Sequence, residues 1–248
     1  MQGEGLEWLP EYRESLTVLR GRHSVDLRFF GTPNEASYLA LLDQVSRPDV
    51  APFVRSLSMS GPDEGANGTK NWNLEPLVSK PSTFEQLELL AVQQNAPGDH
   101  NRSIVGDMYD ENGVIARVVA RAPRLRSLQV PSAPDASFFR VELRHLDYLS
   151  VDAGYATQDF ISNLAQATSM PSLKVLEWGE YCETYQTDWT SLCTPANDYA
   201  RLFASNVFSR VARFVWRNPV LADEEIAALK GTRRDLQLLV LRGQARYV

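Results

Sequence analysis

Seven residues in the C-terminal half carry side chains suited to binding another protein, and they recur at related positions of a repeated pattern. They are Tyr148, Asp152, Tyr155, Glu177, Tyr181, Arg213 and Arg217. Tyrosine and arginine contribute much of the binding energy at protein interfaces, and carboxylates can pair with a partner's cations. Five of these residues alternate with apolar residues along predicted strands, and Tyr155 and Tyr181 closely follow the ends of those strands. We therefore expect all seven to border one exposed sheet surface. The spacing therefore predicts a surface for protein recognition.

The sequence gives little support for a catalytic or metal-binding site. His23, His100 and His145 are isolated, with no spacing typical of metal ligands. The segment 61–70 superficially resembles a phosphate-binding loop, but its glycine and lysine spacings are wrong. The segment 107–113 resembles a calcium loop whose oxygen ligands fall at the wrong positions. We therefore predict a protein that is not an enzyme, with no catalytic residues, no bound metal and no cofactor.

Composition limits the class of partner and the compartment. The net charge of −6 disfavours a nucleic-acid partner, and no apolar run reaches the ~20 residues of a membrane helix. The first eight residues lack the basic and apolar regions of a signal peptide, which favours a cytoplasmic location. Cys182 and Cys193 are then expected to be free thiols, with a structural disulfide as the alternative.

Charge is unevenly distributed along the chain. Residues 147–198 contain eight acidic residues and one basic residue, whereas residues 199–248 contain nine basic and four acidic residues. If neighbouring segments stack in order, the two regions are expected to form adjacent surface zones of opposite sign. Simple solvation of a soluble surface is an equally good explanation.

A short apolar phrase, with the pattern apolar-x-x-apolar-x-apolar, occurs seven times and must position these side chains. Its last two apolar residues are two apart, as on one side of a strand. We expect the middle apolar residues to form a buried ladder of parallel strands: Leu57, Leu90, Leu128, Leu149, Leu176, Phe214 and Leu239. Trp178 and Trp216 occupy inward positions and are expected in the core. Helices are predicted between the phrases, over 35–45, 114–121, 158–165, 198–204 and 223–230.

These phrases resemble those of leucine-rich repeat proteins over residues 54–244, and the best single match is Leu-x-x-Leu-x-Val-x-x-Asn ending at Asn95. The other copies lack that asparagine. The irregular, helix-containing repeats are similar to the ribonuclease-inhibitor-like and bacterial cytoplasmic subgroups. The resemblance implies an α/β solenoid, a horseshoe with a parallel sheet on the concave face and helices on the convex face. Residues 1–53 would form an N-terminal cap, and 54–248 would form one domain of about seven irregular repeats.

The function expected from this architecture is non-enzymatic recognition of a protein partner through the concave face and its adjoining loops. An alternative is an enzyme or small-ligand receptor that uses a pocket formed by the loop over residues 180–195. A broad open face would favour recognition, and a deep pocket with convergent polar groups would favour the alternative.

Overall fold

The computed structural model describes residues 14–65, 67–182 and 186–243. The protein has a mixed α/β fold with a nine-stranded, largely parallel sheet and a second sheet of two strands. The strands are β1 (Leu16–Arg20), β2 (Val25–Phe30), β3 (Val54–Ser60), β4 (Gly68–Asn71), β5 (Leu89–Val92), β6 (Asn101–Ile104), β7 (Ser127–Val130), β8 (Tyr148–Asp152), β9 (Val175–Gly179), β10 (Arg213–Arg217) and β11 (Gln237–Leu241). The helices are α1 (Ala36–Val45), α2 (Val114–Val119), α3 (Phe160–Gln166), α4 (Ala196–Phe203) and α5 (Asp223–Thr232).

The main sheet follows the chain. Its order is β1-β2-β3-β5-β7-β8-β9-β10-β11, and every pair is parallel except the antiparallel pair β1–β2. The strands β4 and β6 leave this order and pair with each other in parallel. The repeated phrase predicted the strands β3, β5 and β7–β11 of the main sheet, but it gave no sign of β1 or of the small β4–β6 sheet.

The predicted apolar ladder is present in six of its seven members. Leu57, Leu90, Leu128, Leu149, Leu176 and Phe214 are opposite one another in successive strands and are buried. The prediction for Leu239 is wrong: Phe214 pairs with Leu238, and Leu239 is 41% exposed. The final phrase lies one residue out of register, so Leu236 and Leu238 take the inward positions and Leu239 turns to the opposite face.

The helices cover the ladder side of the sheet, and the predicted helices are all found with small shifts at their ends. The ring of Phe160 in α3 stacks on Trp178 at 4.8 Å, and Tyr199 in α4 contacts Trp216 at 4.1 Å. Both tryptophans are fully buried, as expected. Burial of such large aromatic surfaces stabilises each helix against the strand beneath it. We call the side of the main sheet opposite these helices the open face.

The segment predicted as a cap contains β1, β2 and α1, while residues 1–13 lie outside the described part. In α1, Tyr38 packs its ring 5.4 Å from Phe29 of β2, so the helix closes over the first strands. No helix in the described ranges is both long and apolar enough to cross a membrane.

Candidate recognition surface

The sheet register assembles five of the seven predicted residues on the open face of β8, β9 and β10. Tyr148 and Arg213 flank Val175 in one row, at the start of these strands. Two positions further along, Glu177 lies between Ser150 and Val215, and the last row holds Asp152, Gly179 and Arg217. Strands ~4.8 Å apart place the three columns within ~10 Å. The sequence periodicity therefore placed these five residues on one face of the sheet, as the register shows.

Arg217 is the centre of a polar network, here called the Arg217 cluster, formed by Gln94, Ser150, Asp152, Glu177 and Arg217. Its Nη2 donates to Asp152 Oδ1 at 2.7 Å and to Gln94 Oε1 at 3.2 Å. Its Nη1 lies 3.8 Å from Glu177 Oε2. Ser150 Oγ also donates to Gln94 Oε1, at 2.9 Å. The guanidinium of β10 thus holds two carboxylates from two other strands and an amide from a loop.

A glycine makes the central ion pair possible. Asp152 and Arg217 are on β8 and β10, with Gly179 of β9 between them. A Cβ at position 179 would overlap Asp152 Oδ1 and come within 3.3 Å of Arg217 Nε. The missing side chain therefore leaves the space across which the two charged groups meet.

The cluster is largely withdrawn from solvent, with side-chain exposures of 19% for Arg217, 17% for Asp152 and 21% for Glu177. Burial raises the pKa of Asp152 above its ordinary value, although the adjacent Arg217 and the nearby Arg102 act in the opposite direction. Burial also raises the pKa of Tyr148, and the charge of Glu177 adds to that shift. The cluster is thus an ordered polar centre in which one guanidinium pairs with two carboxylates.

The accessible part of the surface surrounds this centre. Arg213 is exposed and Tyr148 is half-buried, and the described residues make no ion pair with Arg213. Exposed Leu239 continues the open face onto β11. A cation, a phenol and an aliphatic group are therefore available around a fixed polar centre.

Tyr155 lies beyond the end of β8, in a separate cluster with side chains of β4, β6 and a loop. Its hydroxyl is 3.3 Å from Thr69 Oγ1 of β4, and the Arg102 guanidinium of β6 lies 5.1 Å from its ring centre. The ring of exposed Tyr109 contacts it edge-on at 6.0 Å. The side sheet of β4 and β6 therefore fixes Tyr155, a role that its place in the sequence did not indicate.

Tyr181 does not reach the surface as predicted, because its side chain is only 2% exposed. It follows Glu180, whose Oε2 accepts hydrogen bonds from Tyr199 Oη at 2.5 Å and Trp178 Nε1 at 3.3 Å. Burial of Glu180 in this network draws the start of the loop into the core. We therefore exclude Tyr181 from the candidate surface.

The 180–195 loop also turns inward at its two cysteines, whereas Leu192 and several residues before it are exposed. Cys182 and Cys193 are buried free thiols, as expected from the sequence. Cys193 Sγ lies 3.3 Å from the carbonyl oxygen of Tyr181, and burial raises the pKa of its thiol to about 12. A thiol with this pKa is almost wholly protonated at neutral pH and is a poor nucleophile.

Sequence reasoning missed Gln94 and Arg102. Gln94 is 123 residues from Arg217 in the chain, and Arg102 donates to the carbonyl oxygen of Gly154, 52 residues away. The only local signal was Asn95, which marks the loop after β5 as part of the best repeat match. Its side chain accepts from Ser103 N and donates to Asn101 O, which ties β6 to this loop.

In the described ranges, no group of three or more histidine, cysteine, aspartate or glutamate side chains is arranged to hold a metal ion. The Arg217 cluster contains acceptors and one guanidinium, which suit hydrogen bonding and charge pairing. Comparison with known proteins finds no matching family model, curated protein or solved structure.

Proposed function

We propose that the protein is a non-enzymatic recognition module that binds a protein partner through the open face of β8–β10 and its adjoining loops. The observation that carries this proposal is the convergence of Tyr148, Asp152, Glu177, Arg213 and Arg217 in three adjacent rows. Tyr155 extends the proposed contact surface beyond the strand ends, where the buried Arg102 lies against its ring.

The chemistry of this surface favours a protein partner. Its side chains project from three hydrogen-bonded strands, and the Arg217 cluster restrains several of them before any partner arrives. Little conformational entropy then remains to be lost on binding. Tyr148 and Arg213 belong to residue types that commonly dominate interface energetics, and both flank the restrained centre.

The proposed architecture is an irregular leucine-rich repeat solenoid with the open face on its concave side. Support comes from the chain-order arrangement of the parallel strands and from the ladder of opposed apolar residues. In such a solenoid each strand adds one row of exposed side chains, so a partner is bound by several repeats at once.

The small-ligand alternative has less support. It requires the 180–195 loop to line a pocket, but Glu180, Tyr181, Cys182 and Cys193 all direct their side chains into buried surroundings. Recognition through the open face is therefore the function we propose.

Site-specific photo-crosslinking tests the proposal. A benzoylphenylalanine at position 148 places the reactive group on the open face, and one at position 39 places it on the exposed side of α1. Leu39 is 46% exposed, which makes it a suitable control for the helix side. We expect a defined protein adduct from native lysate at position 148 and not at position 39. The same adducts at both positions, or none at position 148, would contradict the proposal.

A further inference from the structure

A groove of about 430 Å³ lies at the opposite end of the strands, where the chain enters β8, β9 and β10. We call it the basic edge groove. The charged and titratable residues along it are Arg126, His145, Asp147, Lys174 and Arg210. It is distinct from the Arg217 cluster, which lies at the far end of the same strands.

The cations of this groove are largely unneutralised. Among the residues that the structure describes, Asp147 is the one acidic side chain that lines it, and its Oδ2 pairs with Arg126 Nη1 at 3.5 Å. Among the described residues, no hydrogen bond or ion pair engages the side chains of His145, Lys174 or Arg210. In a chain with net charge −6, this concentration of unpaired positive charge favours an anionic ligand.

The hydrogen bonding of the backbone around the groove limits which kind of anion can bind there. Lys174 N and Val175 N both donate to the carbonyl oxygen of Asp147, at 3.0 Å each. Ala212 N and Arg213 N likewise donate to the carbonyl oxygen of Lys174. These amides are thus already used between neighbouring strands and do not form the concave nest that cradles a single phosphate. Recognition must come from the side chains.

Those side chains are distributed along a line. Arg126, Asp147 and Lys174 directly precede β7, β8 and β9, and Arg210 lies three residues before β10. Four strand starts at ~4.8 Å spacing span ~14 Å. An extended peptide advances ~3.3 Å per residue, so about five residues match that length, with alternate carboxylates ~7 Å apart.

We propose that the basic edge groove binds an extended acidic segment of a protein, with its carboxylates paired to Lys174, Arg210 and Arg126. The site stands on its own charges and does not depend on recognition through the open face. It adjoins that face, because Asp147 and Lys174 immediately precede Tyr148 and Val175 of the first open-face row.

Fluorescence anisotropy with a fluorescein-labelled hexaglutamate peptide tests this site directly, with hexaglutamine as the neutral probe. The test variant is Lys174→Glu with Arg210→Glu. The control is Arg20→Glu with Arg22→Glu, which changes the net charge equally at the other end of the sheet, where both arginines are exposed. We expect the groove variant to weaken hexaglutamate binding on the order of tenfold or more, and the control to change it little. Binding of the wild-type protein should also weaken as salt concentration rises.

Three results would overturn the proposal. Equal loss in the groove and control variants would mean that attraction is non-specific, and equal binding of hexaglutamine would mean that carboxylates are not recognised. Tighter binding of a six-nucleotide single-stranded DNA than of hexaglutamate would assign the groove to nucleic acid. None of these results bears on Tyr148 or Arg213, so failure here is distinguishable from failure of the proposed open-face function.

Discussion

The two faces of β8, β9 and β10 are built from alternating residues of the same three short segments, yet they differ in polarity and in solvent exposure. On the helix side, Leu149, Leu176 and Phe214 form a continuous apolar ladder with no solvent exposure. On the open side, the same strands carry a network of charges gathered around Arg217. One face buries apolar surface, and the other holds polar groups in fixed positions.

This difference separates stability from recognition. Burial of apolar side chains is the main favourable contribution to folding, so substitutions in the ladder should affect the whole domain. Removing the charged groups of the Arg217 cluster from water costs free energy, and their pairing recovers much of that cost. The net contribution of the cluster to folding stability is therefore expected to be smaller than that of the ladder. The exposed margin of the open face, including Arg213, should contribute little to folding and most directly to binding.

The largest expected effect is on the ladder face. Leu149→Ala should lower the free energy of unfolding by about 2–5 kcal/mol, because the side chain is fully buried and its removal leaves a cavity. Urea denaturation followed by circular dichroism measures this change. A loss below about 1 kcal/mol would mean that the ladder is not the centre of the core.

A smaller loss is expected in the Arg217 cluster. Arg217→Met removes the cation but keeps much of the aliphatic stem, which leaves Asp152 and Glu177 close together without their counter-charge. Breaking a fully buried pair costs about 3–5 kcal/mol, and partial exposure of this cluster should reduce the loss to about 1–3 kcal/mol. Urea denaturation at pH 7 provides the measurement, and an unchanged midpoint would contradict a stabilising role for Arg217.

The same variant should show a characteristic dependence on pH. Burial raises the folded-state pKa of Asp152, and loss of Arg217 removes a group that lowers it. With a raised folded-state pKa, the folded protein binds the proton more tightly than the unfolded chain does. Stability then falls as pH rises from the unfolded pKa through the folded pKa. The destabilisation by Arg217→Met should therefore be smaller near pH 4 than at pH 7, and Arg217→Met/Asp152→Asn should reduce this pH dependence.

The smallest effect on stability is expected where a leucine of the repeated phrase lies on the open side. Leu239→Ala should change the free energy of unfolding by about 0.5 kcal/mol or less, since its side chain is 41% exposed. Leu238→Ala is the matched control, because Leu238 lies next to Leu239 in the chain and packs against the core on the other side of the strand. A greater loss for Leu239→Ala than for Leu238→Ala would reverse the assigned register of β11.

Local periodicity predicted the ladder and the open-face residues because both depend on the two-residue alternation of a strand. It failed at β11, where Leu238, Leu239 and Leu241 fit two registers and the inward one uses Leu236 and Leu238. A sequence run with apolar residues at adjacent positions does not specify which of them faces the core.

The remaining parts depend on contacts between distant segments. The hydrogen bond that Arg217 donates to Gln94 joins two residues that no local sequence pattern relates. Burial of Tyr181 follows from Glu180 accepting hydrogen bonds from Trp178 and Tyr199, which is a tertiary arrangement. Asn95 was recognised in the sequence, but its bonds to β6 depend on a side sheet that the pattern did not indicate.

The most direct test of open-face recognition is the affinity of the crosslinked partner for two matched double variants. Tyr148→Ala/Arg213→Ala removes an aromatic and a cation beside the Arg217 cluster. Arg28→Ala/Phe30→Ala removes the same two kinds of group from the open face of β2, where both are exposed. We predict that the first pair weakens binding at least about tenfold, or about 1.4 kcal/mol, with unfolding unchanged, and that the second pair has little effect. Wild-type affinity in the first pair, or an equal loss in both, would contradict recognition through β8–β10.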